Sequence, residues 1–185
     1  MLPIEIFAAL ALAAAGGLRT SLTLFVLAIA GLEGIPGPLT TGLANPWIAA
    51  GLGVWALIEL VASRTALGQR LVQAIQFFTA PVVGAAMAML CVEGDGLIYH
   101  LALGVAGAAL AATLQAVYMG YFFRRGRIPA KLQTLKEILC AGLVLLALDA
   151  PLVGGMVVLG LLWWALQQAH YWRNQFNRPG ELCLN

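Results

Sequence analysis

The chain has 185 residues, 62% of them apolar, only 10% charged, with 21 glycines and a mean hydropathy of +0.91, whereas a soluble domain carries about 25% charged residues. A soluble globular fold is therefore excluded, and the composition specifies an all-α, polytopic membrane helix bundle, one integral membrane domain over residues 1–185 set in a lipid bilayer. A net charge of +2, spread thinly along the chain, cannot neutralise a run of phosphates, which excludes nucleic acid as a partner.

Six apolar segments follow in order, predicting about six transmembrane helices. The first, Ile4 to Ala30, starts within Met-Leu-Pro-Ile-Glu, which lacks the basic flank of a signal peptide, so the segment is expected to be retained. Inside it stands Ala15-Gly16-Gly17-Leu18-Arg19-Thr20-Ser21. A guanidinium in the bilayer costs at least about 2.5–3.5 kcal/mol on insertion scales and is kept with a partner or a wet cavity. Two adjacent glycines weaken the helix beside it. A broken helix carrying a cation and hydroxyls is how transporters line a midplane site, which makes Arg19, Thr20 and Ser21 candidate substrate-binding residues. The plainer reading is an arginine that staples helices through carbonyls or a carboxylate, or snorkels.

The turns Gly34-Ile35-Pro36-Gly37-Pro38 and Asn45-Pro46 lead to the second segment, Trp47 to Ala62. It carries Glu59, the counter-charge and fourth candidate. Helical rise puts Glu59 roughly 18 Å below the outer boundary and Arg19 roughly 22 Å above the inner one. In a core of about 30 Å that is a depth mismatch of around 10 Å, which long side chains and tilt nearly close. Alternatively Glu59 pairs with Arg64 or holds a proton, as buried carboxyls do.

The third segment, Phe77 to Val92, and the fourth, Leu97 to Phe123, flank the turn Glu93-Gly94-Asp95-Gly96; the fifth, Ile138 to Leu148, and the sixth, Leu152 to Tyr171, flank Asp149-Ala150-Pro151. The third and fifth are short and extend by recruiting Ala74 to Gln76 and Leu132 to Glu137. Thr65 to Gln76 reads either as an amphipathic helix on the membrane surface, with Leu67, Leu71, Val72 and Ile75 on one face, or as the start of span three. Glu137 beside Lys136 reads as an interfacial charge at a helix N-terminus. Trp163, Trp164, Tyr171, Trp172, Tyr118 and Tyr121 fit an aromatic belt that anchors the bundle. Gly104, Ala108 and Ala112, with Gly84 and Ala88, space small residues for close packing, inside the monomer or between copies.

Charge sets the orientation. Of the ten basic residues, Arg64, Arg70, Arg124, Arg125, Arg127, Lys131, Lys136, Arg173 and Arg178 fall on one side of a six-span count, and Arg19 lies inside the first span. That side is expected to be cytoplasmic, with both N and C termini on it. Cys91, Cys140 and Cys183 are too few and too separated for a disulfide framework. His100 and His170 fall near opposite ends of their spans, as do Cys91 and Cys140, so neither residue type builds a shared metal site. No motif for a metal-bound diphosphate, no G-x-S-x-G and no Walker loop is present. The sequence thus points to no cofactor, no metal and no catalytic residue, and leaves an enzyme the least supported class.

Gly16-Gly17-Leu18-Arg19, Asn45-Pro46-Trp47 leading to Glu59 and Ala62-Ser63-Arg64, then Pro81 with Gly84-Ala85, resemble in order the bacterial integral membrane family catalogued as domain of unknown function 4126. In that resemblance Arg19 matches the family's arginine after Gly-Leu, and Glu59 its glutamate ahead of an Ala-Asp-Lys-like end. Here Ser63-Arg64 replaces the acidic-basic pair, Ala80 stands where the family often has Arg, and Ile128-Pro129 replaces a second Asn-Pro. The resemblance implies an integral membrane protein and directs attention to Arg19 and Glu59.

Two functions stay open. One is a small multi-span transporter or permease-like protein of the bacterial inner membrane, taking a small-molecule or lipid substrate at Arg19, Thr20, Ser21 and Glu59. A version of it is a substrate-binding subunit of a larger uptake machine, suggested by size and the Ala-rich first span. The other is a non-catalytic membrane subunit or assembly factor, in a larger complex or a homo-oligomer. A cavity reaching Arg19 separates them.

Overall fold

A computed structural model describes residues 3–35, 37–91, 96–125 and 130–176. These residues form eight helices: α1 (Pro3–Leu18), α2 (Thr20–Leu32), α3 (Pro38–Leu43), α4 (Pro46–Ala62), α5 (Ala66–Leu90), α6 (Leu97–Arg125), α7 (Ala130–Asp149) and α8 (Pro151–Phe176). No strand occurs among the described residues. The turn prolines found in the sequence open helices: Pro38, Pro46 and Pro151 each begin one, where a missing N–H is harmless and φ is pre-set. Asn45 caps α4 by accepting from the Trp47 N–H at 2.9 Å, and Thr65 caps α5 through the Gly68 N–H at 3.1 Å. The turn at Glu93 to Asp95 and the basic residues Arg127 and Arg178, like Cys183, lie outside the described residues.

Three helices are long and apolar enough to cross a membrane, within α5, α6 and α8, and α1, α2 and α4 are shorter apolar helices. Burial is inverted relative to a soluble protein. On α5, Gln69, Gln73 and Gln76 are 4–5% exposed while Leu67 and Leu71 are 77% and 64% exposed. A helix lying on a membrane surface would turn its glutamines to water, so Thr65 to Gln76 is the beginning of span three, which extends well past the expected Ala74. The helix that holds the predicted fifth segment likewise begins early, at Ala130.

At the centre stands α1, packed against α5, α6, α7 and α8. Its alanines explain themselves there: Ala9, Ala11, Ala13, Ala14 and Ala15 are fully buried, and small side chains let four helices close in on a fifth. Packing therefore accounts for the Ala-rich composition that hinted at an uptake subunit.

The direction of α1 departs from expectation. Ile6 clusters with Cys91 and Tyr99, Phe7 lies against Gly155, Ala13 against Gly107 and Gly17 against Ala111. Hence α1 runs parallel to α6 and α8, starting at the end of the bundle that carries the α5–α6 and α7–α8 connections. That end holds Glu5 and Asp149; the opposite end holds Arg64, Arg70, Arg124, Lys131 and Arg173. We term them the acidic and basic ends. Next, α2 and α4 form an antiparallel hairpin, with Ser21 bonded to Glu59 at its open end, Phe25 against Gly53, and Gly31 against Thr40 of α3. The hairpin returns the chain to Ser63 beside Arg19, and α5 to α8 then alternate. The start of α1 and the end of α8 thus lie at opposite ends of the bundle. That placement departs from the expectation of two ends on one side, because the segment Ile4 to Ala30 is two helices broken at Arg19, and the break adds one pass to the count.

The small-residue contacts lie within the monomer and one register away from the predicted row. Gly84 and Ala88 of α5 meet Gly107 of α6, while Gly104 faces the Met89 side chain. A Cβ on Gly84 would stand 2.6 Å from that of Ala111 and 2.8 Å from the Gly107 carbonyl oxygen, whereas one on Gly142 meets nothing within 4 Å. Gly84→Ala is expected to destabilise the bundle by about 1–3 kcal/mol through overpacking, and Gly142→Ala to be neutral or stabilising by up to about 1 kcal/mol. Thermal unfolding of the two variants in one detergent checks the contrast.

Candidate functional site

The break that positions the site is local. Arg19 has extended backbone, φ −154° and ψ 99°, as the N-cap of α2, yet its N–H still reaches the Ala15 carbonyl at 2.9 Å and its carbonyl accepts from the Thr23 N–H at 3.1 Å. One residue out of helical register interrupts the bonds between the last turn of α1 and the first of α2. The Thr23 hydroxyl and the Cys140 thiol close on the Arg19 carbonyl oxygen at 2.9 and 3.6 Å, which holds the bend against α7.

The bend throws the Arg19 side chain, 3% exposed, into a cluster assembled from four helices. Its Nη1 donates to Glu137 Oε1 of α7. Its Nη2 donates to the Glu59 carbonyl oxygen at 3.2 Å and to Ser63 Oγ at 3.1 Å, and its Nε lies 3.6 Å from Glu59 Oε1. Glu59 is itself fully engaged: Ser21 Oγ donates to Oε2 and Gln76 Nε2 to Oε1. Lys136 Nζ reaches Gln76 Oε1 at 3.4 Å and lies 3.8 Å from the centre of the Tyr118 ring; the Tyr118 hydroxyl donates to Gln133 Oε1 at 2.9 Å. Two formal cations and two formal anions therefore meet at one level. That pairing offsets a desolvation cost that each charge alone could not bear.

Arg19, Ser21 and Glu59 are brought together as the sequence suggests. Thr20 is not: its hydroxyl donates back to the Gly16 carbonyl at 3.1 Å. The depth mismatch between Arg19 and Glu59 disappears, because it came from counting α1 up from the wrong end. Arg19 lies about 24 Å along from the acidic end, and Glu137 about 10 Å in from the basic end, so they share a level. Glu137, predicted at the interface, is a primary partner of Arg19. Ser63, Gln76 and Lys136 also belong to the cluster and were missed. The glutamine spacing 69, 73, 76 on a single helical stripe is the signal that could have found them.

Two spaces adjoin the cluster. A polar one of about 10 Å³, between Arg19, Ser63, Gln69, Gln73, Gln133 and Lys136, has room for one water-sized group. Gln69 Oε1 and Gln73 Oε1 are buried there without a hydrogen-bond partner among the described residues. The second is a cavity of about 360 Å³ toward the basic end, roofed by Leu18 and walled by α6, α7 and α8 through Leu114, Val117, Tyr118, Tyr121, Leu132, Leu135, Lys136, Leu139, Leu161, Trp164, Ala165, Gln168 and Trp172. Its cause is plain: the central helix stops at Leu18, and none of the described residues fills the space below it. Four of the aromatics expected only to anchor the bundle, Tyr118, Tyr121, Trp164 and Trp172, line this cavity, while Trp163 and Tyr171 stay exposed. Lys136 and Tyr118 wall both spaces.

Fold and site together define a membrane-embedded helix bundle with a charge-balanced polar core. The chain matches the family described as Domain of unknown function (DUF4126) over residues 6–170, and it belongs to that family. No curated protein and no solved structure matches it.

Proposed function

We propose that the protein is a small, permease-like transporter of the bacterial inner membrane, its basic end in the cytoplasm, with Arg19, Ser21 and Glu59, joined by Glu137, as the site that meets the solute. One observation carries this reading: a cluster of four charged side chains sits at a helix break, a small polar space with room for one water-sized group reaches Arg19, and the larger cavity shares Lys136 and Tyr118 with that space. A bundle that needed only packing would place no charge there, since well-packed apolar residues are as stabilising as a buried ion pair. The break gives Arg19 two carboxylates to choose between, and an arginine that exchanges partners at a bend is a bistable element of the sort that gates a path. Thr20 joins the site when its hydroxyl leaves the Gly16 carbonyl.

The competing reading, a non-catalytic subunit or assembly factor, keeps the cluster closed. A single cysteine at Ser63, in a chain whose native cysteines are replaced, separates the two. Transport predicts modification by a small impermeant thiosulfonate from the cytoplasmic face, and more slowly from the other face as the path alternates. Protection from both faces, while a control cysteine at Lys131 reacts, would overturn transport.

A further inference from the structure

The apolar cavity under Leu18 has a feature that packing does not require. Among the described residues its wall is carbon almost throughout, with one cation, Lys136, facing it from α7. An ammonium has three N–H donors. Among the described residues, that of Lys136 is met by a single long hydrogen bond, 3.4 Å to Gln76 Oε1, and by the face of the Tyr118 ring. The neighbouring carboxylates face other donors, Glu137 accepting from Arg19 and Glu59 from Ser21 and Gln76, and among the described residues neither forms an ion pair with Lys136. A buried cation left with donor capacity is a recognition element for an arriving acceptor.

The cavity volume, about 360 Å³, falls in the range of small-ligand sites, which are mostly apolar with a few placed polar groups. Trp164 and Leu135 on its rim are more than half exposed on the outer surface of the bundle, so the cavity opens toward the bilayer between α7 and α8. These two helices are joined at Ala150, where a Cβ on Gly154 would stand 3.3 Å from that of Leu146. A free polar solute has no reason to enter a carbon-lined space of this kind.

From these observations we infer that the cavity is a binding site for a single-chain amphiphile with an anionic head, its chain against Leu18, Leu161 and Trp164 and its head on Lys136. As the substrate class of the transporter this rests on the reading above; as a binding site it does not. The head makes a charge-assisted hydrogen bond in a low-dielectric surrounding, and the chain replaces lipid contacts at little cost.

The test uses the full chain in phosphatidylcholine nanodiscs, with a sixteen-carbon carboxylate bearing a photoreactive diazirine on its chain. The sixteen-carbon alcohol with the same label supplies the chain without the charge, and butyrate as competitor supplies the head without the chain. The carboxylate should crosslink to α7 and α8 at the cavity, the alcohol should bind about tenfold or more weakly, and butyrate should not compete. Lys136→Met should reduce the carboxylate to the level of the alcohol. Leu161→Trp, which fills the cavity away from the ionic cluster, should abolish both and keeps the test decisive if Lys136→Met does not fold. Crosslinks spread over lipid-facing helices and indifferent to Leu161→Trp, or equal binding of acid and alcohol, would overturn the inference. If the amphiphile binds while the Ser63 cysteine stays closed from both faces, the site stands and the transporter reading falls; if the cysteine opens and the amphiphile does not bind, the reverse holds.

Discussion

Glu59→Gln is expected to lower the stability of the protein by about 3–5 kcal/mol, and the double variant with Arg19→Met to recover part of that loss. Glutamine fills the space of the carboxylate but brings an amide NH₂ to a point where Ser21, Gln76 and Arg19 all present donors, so at least one donor pair is set face to face. Removing the charge of Glu59 also leaves two formal cations, Arg19 and Lys136, against Glu137 alone, and that unbalanced buried charge is the larger part of the cost. Because Glu137 still holds Arg19, the graver single change is Arg19→Met, which leaves Glu59 and Glu137 with Lys136 as the nearest cation. The double variant removes one charge of each sign, and a coupling of about 0.5–3 kcal/mol is the range for residues in one network. Thermal unfolding of the four proteins in one detergent at one pH gives the cycle, and strictly additive losses would show that Arg19 and Glu59 do not act as a unit.

Arg19 and Glu59 were legible because a charge inside an apolar run stands out whatever the fold. Their partners were not, for a reason of length. Depth was assigned by counting along supposedly single spans, and Ile4 to Ala30 is 27 residues, about 40 Å of helix against a core of about 30 Å. That excess was the sign of two helices rather than one. A single-span reading turns α1 upside down and sets Arg19 at the wrong depth, while starting the fifth segment at Ile138, where the helix in fact begins at Ala130, makes Glu137 and Lys136 look interfacial. The glutamines of α5 misled differently: polar residues opposite an apolar face read as water-facing, whereas in lipid the same pattern turns inward around a polar core. Positions that pack carbon against carbon were read more safely, since the alanines of α1 and the glycine of α5 needed no sense of direction, although the α6 row was one register off.

The charge rule fixed one end of the molecule and was silent on the other. Arg64, Arg70, Arg124, Lys131 and Arg173 do gather at one end of the bundle, the end that the proposed orientation sets in the cytoplasm because basic residues are retained there. The first 18 residues hold no Lys or Arg at all, so nothing in them votes on where α1 begins, and the packing of Ile6, Phe7 and Ala13 on the acidic-end halves of α6 and α8 decides it. The expected result in a cysteine-free background is therefore all or none. A cysteine at Ile4, which is exposed, should be modified by an impermeant maleimide in intact cells, and a cysteine at Lys131 only after the membrane is opened. Protection of both in intact cells would restore a fold with its two termini on one side and would require α1 to pack antiparallel to α6, with Ala13 no longer able to meet Gly107. The contact and the topology thus stand or fall together. A Cβ on Gly155 of α8 would stand 2.6 Å from the Phe7 Cγ of α1, so Gly155→Ala should destabilise the protein by about 1–3 kcal/mol in the same preparation that shows the Ile4 cysteine outside, and adding Phe7→Ala, which opens that space only when α1 runs parallel to α8, should recover part of the loss.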